Sequence, residues 1–148
     1  MGSQATDRRT TTSMGRVLVV DDDAALRHML HFFFELNGYQ VSTAENGAEA
    51  LSLADKERPD AIILDLVMPL MDGFEFLRLL RKNPSTRDIP VVVVTVRDTE
   101  EDIARGWELG ADFYLTKPFR LSELFSVVRN LTAAQPTPEQ GSEPPSDP

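Results

Sequence analysis

The chain has 148 residues, 41% hydrophobic and 26% charged, with a formal net charge of −9. That suffices for one domain with its own core but not for two of ordinary size. No apolar run approaches the roughly 20 residues of a membrane span, and the opening MGSQATDRRTTTSM has no apolar stretch ahead of a cleavage site, so neither a membrane segment nor a secretory leader is expected. With no cysteine there is no disulfide framework, thiolate metal site or cysteine nucleophile, and a cytoplasmic location is expected. The first fourteen residues contribute +1 and the last fourteen −3, leaving −7 between them. Such an excess repels phosphate backbones, so no direct nucleic-acid contact is expected, and a protein partner is.

In chain order, residues 1–14 read as a disordered extension. A short apolar run at 17–20 is the first strand; those at 61–64 and 91–94 are like it, continuous and rich in β-branched residues, as strands buried on both faces are. Leu26, Met29, Leu30 and Phe33 recur at the helical period, and Asn37-Gly38 ends that helix. A weaker strand at about 40–43 precedes a helix that carries Ala50, Leu51 and Ala54 and that Pro59 stops. Phe74, Leu77 and Leu80 mark a third helix, ended by Asn83-Pro84. A fourth carries Ile103 and Trp107. A weak strand at 113–115 then leads to a last helix with Leu121, Leu124, Phe125, Val128 and Leu131, beginning near Arg120 or Ser122. Residues 15–133 form the folded domain, and 134–148, dense in proline and acid, read as a disordered tail or a linker. Parallel strands need right-handed crossovers, so the alternation implies an α/β fold: a five-stranded parallel doubly wound sheet, order 2-1-3-4-5, with five helices.

In such a sheet, ligands bind beyond the carboxyl ends of the strands, near the point where strand order reverses. Asp21, Asp22 and Asp23 follow the first strand, Asp65 the third, Thr95 ends the fourth and Lys117-Pro118 follows the fifth. Carboxylates gathered without compensation raise one another's pKa values, so the cluster needs a cation, a shared proton or solvent. A hard divalent ion such as Mg²⁺ is the economical answer, since it takes a few oxygen ligands and keeps waters that exchange with phosphate. With the charge offset, Asp65 can act as an oxygen nucleophile toward a phosphoryl group. Lys117 offers a point charge and Thr95 a hydroxyl to its oxygens. No P-loop, dinucleotide fingerprint or nucleophile elbow competes.

VLVVDDD, IILDLVMPLMDG, VVVVTV and GADFYLTKPF resemble, in order and at matching separations, the signatures of bacterial response-regulator receiver domains, from about Gly15 to Leu131. The resemblance implies the flavodoxin-like sheet of the chemotaxis-regulator type. It implies that Asp65 is the phosphorylated residue and that Asp21 and Asp22 are the acid pair, Asp22 binding Mg²⁺ directly and Asp21 largely through water. The backbone carbonyl of Val67 would be a third protein ligand. By the same match Thr95 and Lys117 bind the phosphoryl oxygens, and Tyr114 turns inward once Thr95 is drawn to them. Lys117-Pro118 is similar to the family's cis peptide. The chain also departs from the pattern. Val96 stands where a small residue is usual and narrows access to the site, while Val67 and Arg97 hold variable positions that affect phosphoryl lifetime. Phe113 replaces the second acid of the winged-helix transcription-factor subclass and Val127 a basic residue of its last helix. A homodimer, left open, would therefore not use that subclass's salt bridges.

Taken singly, each residue has a plainer reading. Adjacent aspartates suit a solvated helix N-terminus, Asp65 suits a turn, Asp72-Gly73 a turn and helix start, Thr95 a strand end and Lys117 the surface. Their convergence on one edge, in order, is what chance does not supply. His28 and His31 read as packing or surface residues rather than a metal or phosphotransfer site, and the run Phe32 to Phe34 as core with one ring left partly exposed. Ile103, Trp107 and Tyr114 read equally as a half-buried core stripe and as an apolar patch for a partner. The expected function is phosphorelay signal transduction. A sensor histidine kinase, a phosphotransfer protein or a small phosphodonor passes a phosphoryl group to Asp65 with Mg²⁺, changing affinity for a downstream protein effector on the face of the fourth helix, fifth strand and fifth helix. No enzymatic activity is expected beyond the chain's own phosphorylation and dephosphorylation. The alternatives are a phosphorylation-independent interaction module and a metal-dependent phosphatase, the latter opposed by Val67 where a second acid is wanted.

Overall fold

A computed structural model of the chain describes residues 13–133. Its elements are β1 (Gly15–Val20), α1 (Ala24–Leu36), β2 (Tyr39–Ala44), α2 (Gly47–Glu57), β3 (Ala61–Leu64), α3 (Gly73–Lys82), β4 (Val91–Thr95), α4 (Glu100–Glu108), β5 (Phe113–Thr116) and α5 (Leu121–Ala133). Apart from Ser13 and Met14, the extension expected at 1–14 lies outside the described residues, as does the tail expected at 134–148.

The strands are parallel and lie in the order β2-β1-β3-β4-β5, as the alternation of elements requires. Side chains alternate across the sheet. Leu18, Val20, Ile62, Leu64, Val91 and Val93 point to one face, with Ala50, Ala54, Phe74, Leu77 and Leu80 of α2 and α3. Val17, Val19, Ala61, Ile63, Val92 and Val94 point to the other, with Leu30, Phe34, Leu124 and Val128 of α1 and α5. Central strands buried on both sides explain why the sequence shows unbroken apolar runs there.

Helix ends have local causes. Asp23, Asn46, Asp72 and Thr99 each cap a helix by accepting main-chain N–H groups of its first turn. Arg58, in the left-handed region at φ 49, closes α2 just ahead of Pro59, and the extended Asn83 closes α3 ahead of Pro84. The carbonyl of Arg120 accepts the N–H groups of Glu123 and Leu124 at the head of α5.

One expectation is corrected. The buried face of α1 is Leu30 and Phe34, with Leu26 and Phe33 half-buried, whereas Met29 is 42% exposed. Phe34 lies in the core, its ring 5.6 Å from Tyr39 and 6.0 Å from Phe125. Phe33 packs edge-on against Phe125, and Phe32 is the ring of the run left outside.

Candidate functional site

The site forms where main-chain hydrogen bonds carry the ladder past the strand ends. Asp21 N–H donates to Ala44 O at 3.1 Å, Asp65 N–H to Val20 O at 2.9 Å, and Lys117 N–H to Thr95 O at 2.7 Å. These bonds extend β1, β3 and β5 by one residue each, which sets Asp21, Asp65 and Lys117 on one edge. Lys117-Pro118 is cis, as its likeness to the family implied.

Asp21 and Asp65 are buried, at 4% and 6% exposure. Each holds one carboxylate oxygen on the N–H two residues ahead, Asp21 Oδ1 from Asp23 at 2.9 Å and Asp65 Oδ1 from Val67 at 3.0 Å. Each turns its other oxygen to Lys117 Nζ, at 3.1 Å in both cases. Burial pushes the Asp21 carboxyl above the usual aspartate range, and the charge of Asp65 adds to this, against the opposing Asp23 N–H and Lys117. Burial alone would lower the Lys117 pKa, but attraction and hydrogen bonds to Asp65 and Asp21 prevail and raise it.

Carboxylate oxygens of Asp21, Asp22 and Asp65 lie within 4.8 Å of one another. Three carboxylates against one ammonium leave an excess of two negative charges, and the oxygen-only donor set suits a hard divalent cation. The residues therefore fit Mg²⁺. Val67, whose carbonyl was expected as a ligand, is 43% exposed in the loop after Asp65, and Thr95 is fully buried at the end of β4, with Oγ1 accepting Arg97 N–H at 3.3 Å.

Tyr114 stands outward, its hydroxyl donating to the Arg97 carbonyl at 2.9 Å. Burial, then the charges of nearby aspartates, push its phenol up to about 12. Gly106 of α4 lies against this ring: a Cβ there would sit 2.9 Å from Tyr114 Cε2. Ile103 is half-buried and Trp107 is 48% exposed, so the α4 patch divides between the two readings the sequence left open.

Sequence reasoning missed two supports. Arg27 of α1 donates to the Asp21 carbonyl at 2.8 Å and lies 3.8 Å from Glu45, tying helix, acid pair and the loop after β2 together. Gly73 permits close packing under Asp65, since a Cβ there would lie 2.6 Å from both Asp65 O and Leu66 Cα. The Asp72-Gly73 pair is a visible signal of a turn and helix start, and Asp72 does cap α3, but the pair does not by itself reveal the close approach to Asp65. Arg27, an arginine on an amphipathic helix, carried none.

The fold and this edge together define a doubly wound α/β domain with an acidic, cation-ready pocket crossed by one lysine. The model of the response regulator receiver domain matches residues 17–129, and the chain belongs to that family, a component of two-component signalling. Among curated relatives, the response regulator MprA of Mycobacterium sp. (strain KMS) is 44% identical over 131 residues, which is 88% of this chain and 56% of that protein. The MprA of Mycobacterium leprae is 45% identical over 78% of this chain and 50% of its own length. The chain thus spans about half the length of the curated relatives it matches. Among solved structures, the Vibrio cholerae chemotaxis protein CheY4 superposes with a TM-score of 0.76 at 36% identity, covering 80% of this chain and 99% of that one. The receiver domain of the Pseudomonas aeruginosa sensor histidine kinase PA1611, with a magnesium ion coordinated in its active-site cleft, gives 0.75 at 26% identity, covering 81% and 98%. No helix among the described residues is long and apolar enough to cross a membrane.

Proposed function

We propose that the chain is a phosphorylation-controlled switch whose acceptor is Asp65. The observation that carries this reading is Lys117 Nζ at 3.1 Å from both Asp21 and Asp65, a cation already in place for the oxygens of a phosphoryl group on Asp65. In the transfer, a carboxylate oxygen of Asp65 forms the bond to phosphorus. The phosphorus–nitrogen bond to a phosphohistidine of a sensor histidine kinase or phosphotransfer protein breaks, and the imidazole leaves with the electron pair. A small phosphodonor serves in the same way. Asp22, Asp65 and the Val67 carbonyl, with Asp21 largely through water, would hold Mg²⁺, which would supply charge neutralisation for the carboxylates and the incoming oxygens.

Thr95 and Lys117 bind the phosphoryl oxygens. As Thr95 is drawn toward them, Tyr114 leaves the Arg97 carbonyl and turns inward, shifting a pre-existing equilibrium between two conformers. Ile103, Trp107 and Tyr114 then present a changed surface on α4, β5 and α5 to a downstream protein effector. The exposure of Trp107 supports that role. The chain turns over no external substrate, stays in the cytoplasm and, carrying −9, makes no direct nucleic-acid contact.

The test is acid-labile phosphate uptake from acetyl phosphate with Mg²⁺. The wild-type chain takes up label and Asp65→Asn takes up none; equal uptake by both sinks the proposal. A wild-type chain that takes up no label, and whose Trp107 fluorescence ignores a beryllofluoride mimic, favours the phosphorylation-independent module instead.

A further inference from the structure

Helix α4 is thinly seated. A helix on a globule ordinarily buries a stripe of apolar side chains, whereas the buried residue of α4 is Gly106. It lies against the ring of Tyr114, which a Cβ there would meet at 2.9 Å. The adjacent Arg105 reaches instead to α3. Its guanidinium carbon sits 4.1 Å from the centroid of the Phe74 ring, well inside the roughly 6 Å over which an aromatic face holds a cation. Arg16, Arg27, Arg78, Arg81 and Arg97 each have a carboxylate oxygen within 3.8 Å; the partner of Arg105 is a ring. Arg97 also approaches Phe74, but at 5.7 Å and with Asp102 at 3.4 Å from its guanidinium.

The place of Phe74 gives this contact its meaning. Phe74 is buried in the first turn of α3 and shares its face of the sheet with Val93 and Tyr114, which are partners in register across β4 and β5. Thr95, two residues past Val93, points to that same face. A ring turning from the Arg97 carbonyl toward Thr95 therefore moves over β4 on the side where Arg105 reaches from α4 to α3. We propose that Arg105 is a positioning residue for the switch: stacked on Phe74, it closes the space that the Tyr114 ring enters on turning inward, and so favours the outward conformer. This rests on the switch reading above and adds to it the residue that sets the resting equilibrium. Because the contact belongs to one conformer, whatever binds the other must displace it, and its apparent affinity falls accordingly.

Beryllofluoride titration at saturating Mg²⁺, followed by Trp107 fluorescence, tests it. Arg105→Gln keeps a long side chain without the charge and should bind beryllofluoride two- to fivefold more tightly than the wild type, equivalent to about 0.4–1 kcal/mol at 1.4 kcal/mol per tenfold. Arg105→Lys, which keeps a cation over the ring, should stay close to the wild type. In a Tyr114→Ala background Arg105→Gln should change nothing, since no ring is left to admit. Calorimetric Mg²⁺ affinity without beryllofluoride should be the same for Arg105→Gln and the wild type, whereas a merely structural loosening of the loop after Asp65 would move it. The inference fails if Arg105→Gln binds beryllofluoride no more tightly than the wild type, if Mg²⁺ affinity shifts with it, if Arg105→Lys moves as far as Arg105→Gln, or if the full shift persists without Tyr114. A wild-type chain that binds no beryllofluoride sinks the switch reading itself, so the two failures are distinguishable.

Discussion

Lys117 Nζ lies 3.1 Å from Asp21 Oδ2 and 3.1 Å from Asp65 Oδ2, so a single ammonium joins two carboxylates whose side chains are 5% and 7% exposed. Like charges at that depth repel strongly without a counterion. The lysine thus holds this edge together in the metal-free protein.

Replacing it exposes that role. Lys117→Met leaves the buried carboxylates with no cation, and the metal-free variant should lose about 1–3 kcal/mol in urea denaturation. Millimolar Mg²⁺ should recover most of the loss. A denaturation midpoint unmoved by the substitution would show that the ammonium does not balance the acids.

Asp21 carries the opposite burden. Burial, and after it the charge of Asp65, raise its carboxyl above the usual range. An acid with a raised folded-state pKa favours the fold while protonated and loses that contribution as pH rises through the folded value. At neutral pH without metal, Asp21→Asn should therefore melt higher, by roughly 2–4 °C, and gain little further from Mg²⁺. A lower melting point with the Mg²⁺ response intact would make Asp21 a structural acid.

The edge itself was legible because Asp21, Asp65 and Lys117 follow strand runs and Thr95 ends one, and parallel topology brings those ends together whatever the details of packing. The rotation of α1 was not. The run Phe32-Phe33-Phe34 spreads apolar rings around much of the helix, and Phe34 is the one that lies in the core, against Tyr39 at the start of the next strand and Phe125 of the last helix. Arg27 was hidden for a related reason: its acceptor is a main-chain carbonyl, and composition does not mark which carbonyl a folded chain will offer. Gly106 acquires meaning only from the Tyr114 ring that β5 lays against it.

Tyr114 gives the outward conformer a pH signature. Burial first, then Asp102 and other aspartates against Arg97, push its phenol up to about 12, against about 10 for an ordinary tyrosine. The folded state prefers the neutral ring, so this contribution to stability is intact below about pH 10 and lost on rising to about 12. Alkaline absorbance titration should show one tyrosine ionising near the upper value, and Tyr114→Phe should lack it. A Tyr114 midpoint near 10 would mean that the ring is not packed as described.

Gly73 should prove as sensitive as a ligand. An alanine Cβ there would meet Asp65 O and Leu66 Cα at 2.6 Å. Both are backbone atoms, so relief requires moving Asp65 itself. Gly73→Ala should cost about 1–3 kcal/mol and slow acetyl phosphate labelling more than tenfold, even at temperatures where circular dichroism reports a folded chain. Labelling at the wild-type rate would show that the loop absorbs the methyl without disturbing Asp65.

Val96 separates access from stability. It is 60% exposed immediately after Thr95, so truncating it removes little buried surface, and Val96→Ala should change stability by less than about 0.5 kcal/mol. If its branched side chain narrows the approach to Asp65, the same truncation should speed labelling by acetyl phosphate several-fold. Dephosphorylation should quicken as well, since attacking water enters by the same mouth. Faster labelling with unchanged decay would place the effect on phosphodonor binding rather than on passage, and unchanged rates in both directions would remove Val96 from any account of how this acceptor is guarded.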